Sequence, residues 1–146
     1  MTGVQTCALP IFSLRVNPDV DAQTHPYIST GLKGNKFGIA YHEVLKTYRE
    51  ASQLTQIDVV GIDCHIGSQI TTTAPYLDAL DKVLDLVEHL KREGIIIHHL
   101  DLGGGLGISY SDEMPPDITE FTNTLLNRVA ERGFGHLDVE IGRAHV

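Results

Sequence analysis

The sequence predicts an α/β fold with a parallel β-sheet, and within that class a partial (β/α)8 TIM barrel of about four strands. Short apolar runs rich in β-branched residues alternate with longer runs of helical periodicity, in the order β-α-β-α-β-α-β. That alternation is typical of a parallel sheet and does not by itself separate a barrel from a doubly wound sheet. Polar residues at the end of every predicted strand favour the barrel, whose site is built from all the βα loops.

The predicted strands are 12–17, 57–66, 95–102 and 136–140, and the predicted helices are 41–54, 73–93 and 117–131. Apolar residues repeat at helical spacing in each of the three helices. Pro75 suits the first turn of the second helix, and Gly94 and Gly133 suit the left-handed position that ends a helix. Residues 18–38 are polar and rich in Gly and Pro, which predicts a long functional loop.

Composition limits the possible partners. The chain has 146 residues, 42% of them hydrophobic, which is enough for one domain with a core. A net charge of −8 argues against nucleic acid or an anionic membrane as the main partner. Since no membrane span or signal peptide is evident, we expect a cytoplasmic location. Neither the two cysteines nor the eight histidines are spaced as metal ligands.

Both ends of the chain are predicted to be non-native. The codons ATC GGA AGA GCA CAC GTC encode residues 141–146, and ACT GGA GTT CAG ACG TGT GCT CTT CCG ATC encode residues 2–11. The two strings are nearly reverse complements and resemble a common sequencing-library adapter. We therefore expect residues 1–11 and 141–146 to be translated adapter, and residues 12–140 to be part of one barrel domain. The nucleotide sequence tests this directly, because different codons at both ends would contradict it.

A glycine run, Gly103-Gly104-Gly105-Leu106-Gly107, follows the third predicted strand. Glycines allow backbone N–H groups to converge on an anion without interference from Cβ atoms, and phosphate is the anion we expect. The alternative is a tight turn that binds nothing. The run matches neither the dinucleotide-binding fingerprint nor a P-loop.

A second polar cluster follows the strand before it. His65 lies at the strand end, with Gly67 and Ser68 directly after it. A flat imidazole beside a phosphate site can stack on a cofactor ring, and a serine hydroxyl can donate to a phosphate oxygen. The alternative is a histidine packed at the rim of the core.

Charged residues complete the candidate site. Glu140 ends the last strand and Arg143 follows three residues later, so the pair could bind a ring nitrogen and a phosphate. Arg15 alternates with apolar neighbours and is predicted to face the barrel interior. His25 and Lys33 lie in the long loop and fit a lid over an anionic substrate. The alternative is a set of solvated surface charges.

Four runs, taken in order, resemble one family. They are Leu14-Arg15-Val16-Asn17-Pro18, residues 25–33 with Lys36-Phe37-Gly38, Cys64-His65-Ile66-Gly67-Ser68-Gln69, and Leu102-Gly103-Gly104-Gly105-Leu106-Gly107. Together they resemble the bacterial meso-diaminopimelate decarboxylases, barrel-type enzymes that use pyridoxal 5′-phosphate. The resemblance covers residues 12–140. It implies an enzyme of lysine biosynthesis that converts an amino-acid substrate, meso-2,6-diaminopimelate, to L-lysine and CO2, as a homodimer.

The resemblance also implies roles for individual residues. His65 would stack on the pyridine ring and Glu140 would pair with its nitrogen, which makes these two the catalytic residues. The implied cofactor contacts are His65, Ser68, Gly103, Gly104, Gly105, Glu140, Gly142 and Arg143. The implied substrate and lid residues are Arg15, His25, Lys33 and Arg143.

Two departures from the family pattern limit these expectations. Ile141 stands where the family has proline in a Glu-Pro-Gly-Arg motif, and no lysine here matches the one that binds the cofactor covalently, which lies upstream of Phe12 in the family. We therefore expect the isolated chain to be inactive. Alternatives are a sister decarboxylase acting on ornithine, arginine or carboxynorspermidine, a phosphate-binding barrel without a covalent cofactor, and a non-catalytic cofactor-binding module. The run from Ser29 to Lys33 favours diaminopimelate.

Overall fold

A computed structural model describes residues 9–21, 37–109, 112 and 114–142 of the chain. These residues form one parallel sheet with helices packed on it. The elements are β1 (Ile11–Asn17), β2 (Ile39–Ala40), a 3-10 turn (Tyr41–Glu43), α1 (Val44–Ser52), β3 (Asp58–Cys64), α2 (Ala74–Arg92), β4 (His99–Asp101), α3 (Ile118–Glu131) and β5 (Asp138–Glu140).

The order of strands distinguishes the two candidate folds. The sheet runs β2-β1-β3-β4-β5, and every neighbouring pair is parallel. β3, β4 and β5 are added in turn at one edge of β1, each after a helix, while the two-residue β2 pairs with the other edge. The three connections through α1, α2 and α3 therefore all step in the same direction. Because parallel crossovers are right-handed, connections that always step the same way place their helices on the same face of the sheet. This single winding is that of a (β/α)8 barrel, so the predicted partial barrel is confirmed and the doubly wound sheet is excluded.

The hydrophobic core lies between the sheet and this helical layer. One set of alternating strand residues points into it, including Val16, Ile62 and Leu100, each at most 1% exposed. The helices contribute fully buried residues, of which Tyr48, Leu80, Leu84, Leu90 and Leu125 are examples. The alternate residues of the same strands face away from the helices, so the sheet has one apolar and one polar face.

Local signals define the helix ends. Asp117 caps α3 by accepting hydrogen bonds from the backbone N–H groups of Thr119 and Glu120 at 2.8 and 3.1 Å. Gly94 and Gly133 both have φ of +81°, as expected for residues that terminate a helix. Between α2 and α3, ion pairs join Asp81 to Arg128 and Arg132 at 2.6 and 3.2 Å. The predicted positions of the three helices are therefore confirmed to within a few residues.

The strands differ from the prediction in length and in number. β3 ends at Cys64, so His65, predicted inside the strand 57–66, follows it, and β5 begins at Asp138 and not at residue 136. The third predicted strand, 95–102, is reduced to β4. Before it, the Ile95 N–H donates back to the Leu90 carbonyl at the end of α2 at 2.9 Å, and Ile97 is buried. His98, just before β4, still donates to the Val60 carbonyl at 2.7 Å and accepts from the Asp138 N–H at 2.9 Å. The predicted loop 18–38 is followed by β2, a short fifth strand that pairs with the end of β1. Gly38 permits this pairing, since a Cβ there would lie 2.9 Å from the carbonyl carbon of Val16. Most of that loop, with His25 and Lys33, lies outside the described residues.

In the part of the chain that the structure describes, no helix combines the length and the apolar character that crossing a bilayer requires.

Candidate functional site

The loops that follow β3 and β4 join at the carboxyl edge of the sheet. Ile70 and Leu106 form an isolated parallel bridge. The Ile70 N–H donates to the Gly105 carbonyl at 2.9 Å, and the Gly107 N–H donates to the Ile70 carbonyl at 2.8 Å. The histidine run and the glycine run, which are separated in the sequence by the whole of α2, are therefore in direct contact.

This contact requires glycine at two positions. At Gly105, with φ of +93°, a Cβ atom would lie 1.8 Å from the Gly67 carbonyl oxygen. At Gly103, with φ of +69°, it would lie 2.6 Å from the Cys64 carbonyl oxygen. Backbone approaches backbone at both points, so a larger residue would separate the two runs.

Gln69 fixes the geometry of the histidine run. Its side-chain amide donates to the Ile108 carbonyl at 2.5 Å and accepts from the Ile108 N–H at 3.1 Å. The residue has φ of +56°, a left-handed conformation that a non-glycine residue adopts rarely. The two reciprocal hydrogen bonds compensate for this conformation. They also hold the adjacent, half-buried Ser68 beside the glycine run.

The three amides predicted to bind phosphate do not have equal environments. The Gly103 N–H donates to Asp101 Oδ1 at 2.7 Å, and the Gly104 N–H donates to His65 Nδ1 at 3.3 Å. Gly105 is buried, and its N–H finds no acceptor among the described residues. A buried N–H without a partner is uncommon and costs stability, so this amide is the one best prepared to receive an anion.

The imidazole of His65 is held in its neutral form. Burial lowers its pKa below the usual value of 6.5 and the charge of Arg15 lowers it further, while Asp101 partly opposes the shift. Since Nδ1 accepts a hydrogen bond from Gly104, the proton of the neutral ring is on Nε2. A neutral, half-buried imidazole is suited to stacking on an aromatic ring.

The polar face of the sheet carries a row of charged side chains. Arg15, Asp63, Asp101 and Glu140 are consecutive partners across β1, β3, β4 and β5, so they lie at one level of the sheet. Six polar residues help to line an open cavity of about 530 Å³ on this face: Ser13, Asp63, His99, Asp101, Asp138 and Glu140. Arg15 also lies over the ring of Phe37, 5.4 Å from its centroid.

The end of β5 reaches the same region. Gly142 N–H donates to the Gly103 carbonyl at 2.5 Å, and a Cβ on Gly142 would lie 2.8 Å from the Gly103 carbonyl carbon. Glu140 is exposed and is the register partner of Asp101. The structure therefore brings His65, Ser68, Gly103, Gly104, Gly105 and Gly142 together, with Glu140 on the neighbouring strand. Arg143, like His25 and Lys33, lies outside the described residues.

Sequence reasoning missed two residues that shape the glycine run. Asp101 accepts from the N–H two residues ahead, and the pattern Asp-x-Gly after a strand is a signal for such a turn. Tyr76, at the start of α2, donates its hydroxyl to the Gly104 carbonyl at 3.1 Å. No local pattern predicts that contact, because its partners are 28 residues apart and meet only in the folded chain.

A phosphorylated aromatic cofactor fits this arrangement. The N–H of Gly105, which has no acceptor within the described ranges, and the half-buried Ser68 offer donors to a phosphate, and the neutral imidazole of His65 offers a flat surface beside them. Among the described residues, no three His, Cys, Asp or Glu side chains lie close enough to share a metal ion.

Comparison with known proteins agrees with this chemistry. Residues 5–146 match the family model described as pyridoxal-dependent decarboxylase, pyridoxal binding domain. The chain belongs to the pyridoxal-dependent decarboxylase family. Within this family, it is 56% identical over 132 residues to diaminopimelate decarboxylase of Vibrio cholerae, an alignment that covers 90% of this chain and 32% of that protein.

Two other members of the pyridoxal-dependent decarboxylase family are similar to this chain over most of its length. Diaminopimelate decarboxylase of Pseudomonas aeruginosa is 58% identical over 120 residues, which are 82% of this chain and 29% of that protein. The crystal structure of diaminopimelate decarboxylase from Helicobacter pylori complexed with L-lysine superposes with a TM-score of 0.85 at 34% identity, covering 93% of this chain and 34% of that one. The chain thus spans about a third of the length of these relatives.

Proposed function

We propose that this chain is the cofactor-binding part of a decarboxylase that converts meso-2,6-diaminopimelate to L-lysine and CO2 with pyridoxal 5′-phosphate. The main observation behind the proposal is the hydrogen bond that joins the neutral His65 to the glycine run at the strand ends. The choice of substrate is supported by the identity of 56–58% to diaminopimelate decarboxylases and by the L-lysine bound to the Helicobacter pylori relative.

Different residues of the chain bind the phosphate, the ring and the ring nitrogen of the cofactor. Ser68 and the Gly105 N–H hold the phosphate, next to Gly103, Gly104 and Gly142. The imidazole of His65 supports one face of the ring. When bound, the cofactor accepts the electron pair that carbon dioxide leaves behind. The carboxylate of Glu140 keeps a proton on the ring nitrogen, which increases the capacity of the ring to accept those electrons.

The proposal assigns substrate-side roles to four further basic residues. Arg15, on the polar face of the sheet, faces the substrate side, and its charge adds to the effect of burial in lowering the pKa of His65. His25 and Lys33 contribute to a lid over the amino-acid substrate. Arg143 contacts phosphate or substrate where the parent gene encodes arginine at that position, which the nucleotide test of the chain ends decides. The family resemblance further implies that the complete enzyme is a homodimer, which analytical ultracentrifugation would test.

The test uses the complete protein encoded by the parent gene, supplied with pyridoxal 5′-phosphate. We expect lysine to form from meso-2,6-diaminopimelate, and ornithine, arginine and carboxynorspermidine to react at least about tenfold more slowly. A preference for one of these three substrates would indicate that the protein is a sister decarboxylase and not a diaminopimelate decarboxylase. Failure to bind the cofactor, seen as no change in its visible absorbance, would overturn the proposal in favour of a phosphate-binding barrel.

The 146-residue chain is assayed in parallel. We expect no measurable turnover, because none of its lysines matches the one that binds the cofactor in the family. Turnover by the isolated chain would contradict that expectation and would show that a lysine within it serves the reaction.

A further inference from the structure

We propose that Tyr76 is a positioning residue that orients the peptide group between Gly104 and Gly105, so that the Gly105 N–H faces the phosphate of the ligand. This inference rests on the proposed function, because it concerns the phosphate of the same cofactor. It assigns a role to a helix residue that lies 28 residues before its partner in the glycine run and outside every motif at the site.

The Tyr76 hydroxyl is rigidly placed. The residue lies in the first turn of α2, is 2% exposed, and packs edge-on against Phe121 with ring centroids 4.8 Å apart. Burial raises the pKa of the hydroxyl, which therefore stays protonated as a donor. From this position it donates to the Gly104 carbonyl at 3.1 Å.

Because a peptide group is planar and trans, this contact also fixes the direction of the N–H that follows. The carbonyl of Gly104 and the N–H of Gly105 belong to the same peptide group, and in a trans peptide they point in opposite directions. No cis peptide occurs among the described residues. With the carbonyl held toward Tyr76, the Gly105 N–H must point away from α2.

The preceding peptide group is held in the same way. Its carbonyl, on Gly103, accepts from the Gly142 N–H at 2.5 Å, and its N–H, on Gly104, donates to His65 Nδ1. Two consecutive peptides are thus fixed by their carbonyls. The first N–H is used by His65, and the second, on Gly105, has no acceptor within the described part of the chain. A phosphate oxygen would supply the missing acceptor.

The chain contains a matched control for this contact. Tyr48 in α1 is also buried and also donates its hydroxyl to a glycine carbonyl, that of Gly61 at 2.7 Å. Gly61 lies in the middle of β3, away from the strand ends. Tyr48→Phe and Tyr76→Phe therefore remove chemically equivalent hydrogen bonds, and only the second borders the proposed phosphate site.

Glycine labelling isolates the amides concerned. Gly104 and Gly105 are the only glycines of this chain that follow another glycine. In protein labelled with carbonyl-13C, 15N-glycine, a carbonyl-filtered NMR spectrum therefore contains two signals. His65→Gln identifies the Gly104 signal, since Gly104 donates to His65. Inorganic phosphate and pyridoxal 5′-phosphate are then titrated separately into wild-type protein and both tyrosine variants.

We expect both ligands to shift the Gly105 signal of the wild type. Tyr76→Phe should weaken phosphate binding about three- to tenfold, and Tyr48→Phe should leave it unchanged. The proposal is overturned if phosphate leaves Gly105 unaffected in the wild type, or if the two variants bind equally well. A Gly105 shift with inorganic phosphate that is weakened only in Tyr76→Phe, together with no binding of pyridoxal 5′-phosphate, would support the role of Tyr76 and contradict the proposed cofactor.

Discussion

Gly105→Ala tests the packing of the two site loops. Gly105 combines a φ of +93° with the shortest approach among the glycines described, 1.8 Å from its Cβ position to the Gly67 carbonyl oxygen. An alanine there must force the loops apart by about 1 Å or more before the contact becomes tolerable. We expect it to disrupt both the fold at the strand ends and the phosphate site.

The structure allows the cost to be worked out. A non-glycine residue at positive φ costs about 1–2 kcal/mol. Separating the loops also breaks two hydrogen bonds, from Ile70 N–H to Gly105 and from Gly107 N–H to Ile70, each contributing about 1 kcal/mol. The expected decrease in the free energy of unfolding is therefore about 3–4 kcal/mol.

Gly94→Ala is the matched control for this substitution. Gly94 has φ of +81°, but a Cβ there would meet nothing within 4 Å, so only the conformational cost of about 1–2 kcal/mol applies. Urea unfolding followed by circular dichroism measures both variants. Equal losses for Gly105→Ala and Gly94→Ala would refute the reasoning, because they would show that the close contact with Gly67 contributes nothing.

Two further predictions concern His65 and the cap of α3. Because burial and Arg15 lower the pKa of His65 in the folded state, the unfolded chain binds more protons at acidic pH, and stability should fall as the pH drops below about 6.5. His65→Gln should reduce that loss between about pH 7.5 and about pH 5, measured by urea unfolding; an unchanged pH dependence would contradict a depressed pKa. Asp117→Ala should decrease the free energy of unfolding by about 1 kcal/mol, since it removes two capping hydrogen bonds. Glu131→Ala, in the last turn of the same helix, is the control, and an equal effect there would argue against capping.

Local chemistry accounts for what could be predicted about the fold. Helical periodicity located α1, α2 and α3, and glycine identified the ends of α2 and α3, because both signals are contained within a few consecutive residues. The pairing of β2 with β1 was missed because its partners are 23 residues apart in Val16 and Ile39, and Gly38 is explained only by the approach of that distant strand.

The candidate site shows the same division. Its main residue types were evident from the sequence, because His65 stands at the end of a predicted strand, Ser68 and the glycine run follow predicted strands, and parallel strands end at one edge. Only the tertiary structure distinguished the three glycine amides, since the acceptors of Gly103 and Gly104 and the hydroxyl of Tyr76 come from different elements. The sequence by itself therefore determined the chemistry of this edge of the sheet. The folded chain decided which N–H faces a ligand, because a peptide's orientation depends on partners that are brought close only by packing.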